Sequence, residues 1–565
     1  YEMLRSLVGS EMCIRDRFSL DNMEVISLYN GQKSAIFQPA KDYSSASAIY
    51  MQTRKPIFKG EKKNNLNIGV KGGSFSTINP SLLWEHRFNE RISSSISTEY
   101  MYTSGRYKFT YAKKDGYDTT AVRQNGDVRM LRLENAFFGK IPKGEWKTKA
   151  YLYNSERGYP GAAVREEPGK FRHQDRQWDT NLFVQGSFQN YFKPWYSLLA
   201  NGKYAYDYLH YLSDPRLDVT TMYVDNHYRQ QEIYASAAHL FTIYPWWSIS
   251  LSNDFQWNTL RADLIDFVYP TRNTILTSAA TSFDFNHLML QASLLYTHVD
   301  DNTRTKGANA GTKNKYTPSV IATWQPLTKF PLNVRAFYKK VFRMPTLNDL
   351  YYTFIGNKDL KPEYTTQYDV GITFSHTWNN HWLKSLDLQI DGYYNEVDDK
   401  IIAMPTSNQF RWTMINLGHV EIRGLDAAIR GEWGFGKVEL STLFNYTYQK
   451  AQDFTDPTSE WYGGQIPYIP WHGGSIILNG SYQTWSCNYS FIYTGERYEA
   501  VANIPENYAQ PWYTHDFSLS KTFQWGKTGI RVTAEINNIF NQQYEVVQCY
   551  PMPGTSFKIK LNVML

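Results

Sequence analysis

In the stretch Phe557-Lys558-Ile559-Lys560-Leu561-Asn562-Val563-Met564-Leu565, Phe557, Ile559, Leu561, Val563 and Leu565 fall on one side, and Lys558, Lys560, Asn562 and Met564 on the other. A period of two residues is that of a β-strand. Large apolar side chains on one face and lysines on the other suit a strand standing between lipid and a polar lumen. The period recurs along the chain. Tyr368, Val370, Ile372 and Phe374 oppose Gln367, Asp369 and Thr373; Leu386, Leu388, Ile390 and Tyr394 oppose Asp387, Gln389, Asp391 and Asn395. Val438, Leu440, Phe444, Tyr446 and Tyr448 oppose Glu439, Ser441, Asn445 and Thr447; Ile530, Val532, Ala534 and Ile536 oppose Arg531, Thr533, Glu535 and Asn537.

Composition separates the membrane readings. Mean hydropathy is −0.52 and no run of eighteen apolar residues occurs, which excludes helical spans. A transmembrane barrel needs no such run, because only alternate residues meet lipid. The 44 Tyr, 17 Trp and 31 Phe among 565 residues are the stock from which interfacial girdles are made. A soluble propeller would also be rich in strands, but no blade-length repeat is present. The net charge of +6 carries no basic run, so nucleic acid is not an expected partner, whereas membrane lipid is. Cys13, Cys487 and Cys549 have no metal-ligand spacing and give no support to zinc or thiol chemistry.

Two kinds of connection alternate between the strands. Trp433-Gly434-Phe435-Gly436 and Gln524-Trp525-Gly526-Lys527 read as tight turns; Arg157 to Asp175, Val299 to Lys315 and Tyr352 to Thr365 read as long polar loops. The fold expected is all-β, a large transmembrane antiparallel barrel over residues 61–565. At roughly 23 residues per strand with its connection, that length gives about 22 strands. A lumen of that width is either plugged or open.

The beginning differs. Residues 1–17, YEMLRSLVGSEMCIRDR, lack alternation, an apolar signal region and a cleavage site; they resemble translated sequencing-adapter read-through and are set aside as non-native. Residues 18–60 hold two short strands, one running into the Asn30-Gly31 turn signal and one ending at Pro56, with small residues on both faces. That pattern suits packing inside something rather than against lipid.

Several motifs identify a family. Phe342-Arg343-Met344-Pro345-Thr346-Leu347-Asn348-Asp349-Leu350-Tyr351, followed by Gly356-Asn357-Lys358-Asp359-Leu360-Lys361-Pro362-Glu363, resembles the signature of TonB-dependent outer-membrane receptors. So do Arg157 to Ala162, Asn416-Leu417-Gly418 with Arg423 to Asp426, Tyr493 to Tyr498, and Asn537 to Asn541 with Tyr544 and Tyr550 to Gly554. Leu565 departs from that family's terminal aromatic. The resemblance implies a Gram-negative outer-membrane location and active uptake of a scarce nutrient, with no catalytic residue. It implies that residues 18–60 are the C-terminal remnant of a plug domain, and that the signal peptide, the TonB-contacting segment and most of the plug precede residue 18. Haem receptors of the family carry a histidine between the two motif elements; Thr346 to Ile355 has none, which disfavours haem and leaves a corrinoid or a ferric siderophore as the expected ligand, ahead of an oligosaccharide, whose importers resemble longer chains. Tyr351, Tyr352, Phe354, Arg411 and Trp412 are the candidate ligand contacts, since aromatic and cationic groups suit such molecules. Asp300 and Asp301, read as lying in a long loop, are candidate ligands for calcium. His419 beside Glu421 reads as a loop or lumen residue. A surface lipoprotein is a further partner the family allows. The alternative is an ungated porin or adhesin-type barrel, in which residues 20–55 would supply a barrel strand instead of a plug.

Overall fold

The alternation resolves into strands that close on themselves. The computed structural model describes residues 22–31, 33–112, 118–163, 175–214, 223–305, 310–327, 330–352, 356–379, 382–405 and 412–565. Among these, twenty-two antiparallel strands, joined by the two-residue segment Gly464–Gln465, form one barrel. Closure comes from the strand opened on above: Ser556–Met564 pairs with Thr528–Asn537 on one side and with the first barrel strand, Asn64–Gly73, on the other. The register puts Ile559 opposite Ala534 and Gly72, and Leu561 opposite Val532 and Val70. Directly paired residues share a face, so one apolar band runs across the seam. Ile559 is 61% exposed and Val70 49%, as positions facing lipid must be in an isolated chain. Cys487, paired with Leu519, lies on the same outer face.

The tight connections gather at one end. Phe435 pairs with Val438 and Trp525 with Thr528, leaving two-residue loops headed by Gly436 and Gly526 at φ +63° and +59°, a left-handed conformation that costs glycine little. Rings collect at this end: Tyr244, Trp246, Trp247, Phe283 and Phe285 stack in a continuous ladder with neighbouring centroids 5.5 to 6.3 Å apart. This is the interfacial girdle of the short-turn, periplasmic side. Toward the other end the strands outrun the bilayer, up to 24 residues in Trp412–Phe435, where about 9–11 suffice to span. The expected long loop from Val299 to Lys315 is therefore shorter than its sequence suggests, because Leu288–Asn302 and Thr312–Trp324 continue as paired strands through both of its ends.

Residues 22–56 take no part in the barrel wall. β1 (Met23–Asn30) pairs only with β2 (Ser47–Thr53). Between them the short 3₁₀ turn Ala40–Tyr43 buries Ala40 and Tyr43 against the inward-facing Leu276, Ala280 and Leu295. The hairpin therefore sits in the lumen, tied to inward-facing polar groups: Asn22 donates to Glu134 at 3.0 Å, Lys55 pairs with Glu145 at 2.7 Å and Arg54 with Glu85 at 3.3 Å.

Candidate ligand-binding site

The Phe-Arg-Met-Pro segment ends the strand Leu332–Arg343 and turns the chain back over the lumen. Thr346 caps the one-turn helix α1 (Leu347–Tyr351): its hydroxyl accepts the Asp349 N–H at 3.1 Å while the Asp349 carboxylate accepts the Thr346 N–H at 2.8 Å. This reciprocal pair satisfies two of the donors a helix start leaves open. Leu347, Leu350 and Tyr351 then bury against Tyr228, Leu260, Ala262, Ile401, Ala403 and Met414. Three residues of the second motif element do similar work. Asn357 donates to the Met414 carbonyl at 2.9 Å, Leu360 joins the same core, and Glu363 accepts the Ile401 N–H at 3.0 Å. Arg343 lies between two carboxylates, 3.7 Å from Asp349 and 3.8 Å from Glu363. Pro345 offers its carbonyl to Arg272 at 2.6 Å. The motif is a clasp that folds one extracellular connection down onto the wall.

The clasp separates the candidate contacts. Tyr351 is a core residue of the clasp rather than an open wall position; burial and the nearby Asp301 carboxylate push its phenol up to about 12, so it stands as a neutral O–H. Tyr352 follows and lays its ring on Tyr228, centroids 4.4 Å apart. Phe354 and Arg411 lie outside the described residues, and of Trp412 the backbone is described, opening its strand opposite Pro405. Asp300 and Asp301 occupy a strand, not a loop, and consecutive strand residues point to opposite faces. Asp301 faces the lumen, held by Arg272 through two hydrogen bonds at 2.5 and 2.6 Å, and Asp300 faces outward, accepting from Asn302 and Thr312. The two carboxylates do not converge. His419 likewise stands on the outward face, 2.8 Å from Asp398, in neither loop nor lumen.

Beneath the clasp lies a cavity of about 350 Å³ whose walls come from three parts of the chain: Phe342, Arg343, Met344, Thr346 and Leu347 above; Gln230, Glu232, Gln256, Asn258, Arg272 and Thr297 from the barrel; and Lys41 and Ser44 from the lumen segment. Its charge is mixed. Glu232 accepts from Lys203 at 2.9 Å and from Gln256 at 3.0 Å, so the amide-rich wall is already ordered without a ligand. Sequence reading missed these wall residues, since a polar residue at an inward position is what every strand of such a barrel carries. Lys41 and Ser44 reach the cavity because the lumen segment is latched beside it. Asp254 accepts the backbone N–H groups of Ala40 and Lys41 at 3.0 and 2.8 Å and the Tyr234 hydroxyl at 2.7 Å; Ser252 donates to the Gln38 carbonyl at 2.8 Å. Four strands further round the wall Lys339, 1% exposed, donates to the carbonyls of Gly31 and Ser45 at 3.1 and 2.7 Å.

A closed barrel with a lipid-facing band, short turns at one end and a latched segment in its lumen defines the gated outer-membrane barrels. The chain belongs to the TonB dependent receptor-like β-barrel family, whose model matches residues 63–539, and it resides in the outer membrane of a Gram-negative bacterium. That family is one of receptors and transporters. Over 244 residues the chain is 28% identical to a vitamin B12 transporter of Photobacterium profundum; the match takes in 42% of this chain and 36% of that protein, so the chain spans about a third of the curated relative. Solved structures share the fold along nearly the whole chain. The siderophore receptor PiuA of Acinetobacter baumannii superposes with a TM-score of 0.72 at 12% identity, covering 96% of this chain and 86% of that one. The copper transporter OprC gives 0.73 at 14% identity, covering 97% and 86%.

Proposed function

We propose that this protein is a TonB-dependent receptor that imports a corrinoid or ferric siderophore, with residues 22–56 serving as the C-terminal part of its plug. The observation that carries the reading is the pair of latches: Asp254 and Lys339, on two separate strands, grip the lumen segment through backbone groups, so the lumen is occupied by chain rather than left open. A diffusion porin has no use for such contacts, and β1 supplies no barrel strand. The hairpin also presents Val25, Leu28 and Ile49 as exposed apolar side chains inside the barrel, the kind of surface a larger plug sheet covers.

The choice of nutrient rests on chemistry and on the relative. A haem ligand calls for an inward histidine, and among the described residues every histidine on a barrel strand lies on the outward face, His239, His298, His376 and His515 among them. The vitamin B12 transporter resemblance favours a corrinoid. The cavity under the clasp, with amides on its wall and Arg343 and Lys41 at its edge, suits the amide side chains of a corrin or the carboxylates of a ferric chelate equally.

The test is uptake of labelled cyanocobalamin and of ferric siderophores by cells expressing the gene, together with any coding sequence upstream of residue 18, with and without TonB. Uptake of one ligand that requires TonB supports the reading and names the nutrient. TonB-independent flux with ion conductance through the purified barrel would return the protein to the porins.

A further inference from the structure

The strands Tyr196–Ser213 and Val224–Tyr244 bring two histidines into direct register: His210 pairs with His227. Both project outward, and their rings stack at 3.9 Å with an interplanar angle of 10°. Trp178, in register with His210 on the next strand, stacks on its other side at 4.6 Å. The three-ring pile sets the two imidazoles side by side on the outer face. Two carboxylates then converge on the histidine nitrogens. Asp225, two residues before His227 and on the same face, places Oδ1 2.7 Å from His210 Nε2 and 3.5 Å from His227 Nε2. Asp263, directly after the strand Trp247–Ala262, places Oδ2 3.8 Å from His227 Nε2, and its Oδ1 accepts the His227 backbone N–H at 2.8 Å.

An aromatic belt explains Trp178 and the rings, but not two carboxylates aimed at the same nitrogens. We propose that His210, Asp225 and His227, completed by Asp263, form a divalent-metal site of the zinc class on the outer rim of the barrel, at the extracellular end. Two imidazoles and two carboxylates make a donor set suited to Zn²⁺, with Ni²⁺ and Cu²⁺ as competitors. Tetrahedral zinc at about 2.0–2.1 Å from each ligand holds neighbouring donor atoms about 3.3 Å apart; the present spacings of 2.7, 3.5 and 3.8 Å bracket that value, and because an imidazole lone pair lies in its ring plane, coordination by both histidines turns their rings out of the parallel stack. A second contact bears on the tautomer of His227. The Tyr208 hydroxyl lies 2.6 Å from His227 Nδ1, and with Nδ1–H donating to it, Nε2 presents its lone pair to the cation. One dication neutralises the two carboxylates and takes a lone pair from each ring. The site sits on the side of the wall away from the cavity under the clasp, and bound metal would tie together three consecutive strands at the rim.

The test uses the chain without a polyhistidine tag, refolded in detergent, stripped with chelator and titrated with ZnCl₂ by calorimetry, then with Co²⁺ by visible absorption. One equivalent of Zn²⁺ and a tetrahedral cobalt spectrum are expected. H210Q and H227Q each weaken binding by about 100-fold and abolish the spectrum, and Tyr208→Phe weakens it by about 10-fold while keeping the spectrum. His298→Gln, an outward histidine elsewhere on the rim, serves as the control and leaves binding unchanged. Heat-modifiable migration shows that each variant is a folded barrel. Zinc binding that survives H210Q and H227Q in folded protein, or less than a tenth of an equivalent bound by the native chain, overturns the assignment.

Discussion

Arg272 and Asp301 face each other across adjacent strands in a fork-to-fork ion pair of 2.5 and 2.6 Å, and the remaining guanidinium nitrogen carries the Pro345 carbonyl at 2.6 Å. Both side chains are nearly buried, at 9% and 3% exposure. One arginine thus joins the barrel wall to the clasp.

Removing that arginine strands a buried carboxylate. Arg272→Ala is expected to destabilise the barrel by about 3–5 kcal/mol, whereas the double variant Arg272→Met with Asp301→Leu recovers most of the loss because no unpaired charge remains. Denaturant unfolding in detergent measures both. Limited proteolysis should cut near residues 344–362 in the single variant first.

The Asp254 latch accepts two backbone N–H groups, and hydrogen bonds to a charged acceptor contribute about 1.5–3 kcal/mol each. Asp254→Ala should therefore raise hydrogen exchange at the Ala40 and Lys41 amides by tenfold or more, with barrel-strand amides unchanged. Equal exchange in both proteins would show that the apolar contacts of Tyr43 and Ala40 hold the segment alone.

Asp42, in the same turn, is held above the usual carboxylate range, chiefly by burial and against a hydrogen bond from Tyr50 and the charge of Lys33. A carboxyl whose pKa is raised on docking binds more protons docked than free. Docking therefore strengthens as pH falls through the raised value and levels off below the free value near 3.8. Exchange at residues 40–45, corrected for intrinsic rates, should slow on acidification from pH 7, and Asp42→Asn should reduce the dependence.

The closing strand separates lipid from lumen residue by residue. Ile559→Arg places a charge in the apolar band and is expected to cost about 2–4 kcal/mol in folding into lipid vesicles. Lys560→Ser, one position along and facing inward, should cost far less. Equal penalties would mean the register at the seam is wrong.

Much of this architecture is legible residue by residue because a barrel strand solves a one-dimensional problem. Phe557 to Leu565, Tyr368 to Phe374 and Leu386 to Asn395 each display on alternate positions the solvent each face meets, and the strand count follows from length. The motif from Phe342 to Glu363 marked the family, but the sequence could not say that its residues build a clasp, since Asn357 and Glu363 find their partners at Met414 and Ile401, on two other strands, and Leu360 joins the core those strands share. The acidic pair shows the limit most plainly. Asp300 and Asp301 are adjacent in sequence and read as a loop cluster, yet paired backbone continues through them and pleating turns their side chains apart.

Sequence alone determined what alternates: the β period, the lipid-facing band, the turn glycines and the absence of an apolar helical span, all consequences of local backbone geometry and of the solvent on each face. Tertiary structure alone decided what converges. Register set Arg272 against Asp301 and His210 against His227, and the curvature of the sheet brought Asp254 and Lys339, 85 residues apart in number, to grip one lumen segment from two strands. Convergence depends on which strands become neighbours and how far each slides, and those quantities are fixed by pairing around the whole ring rather than by any one stretch of the chain.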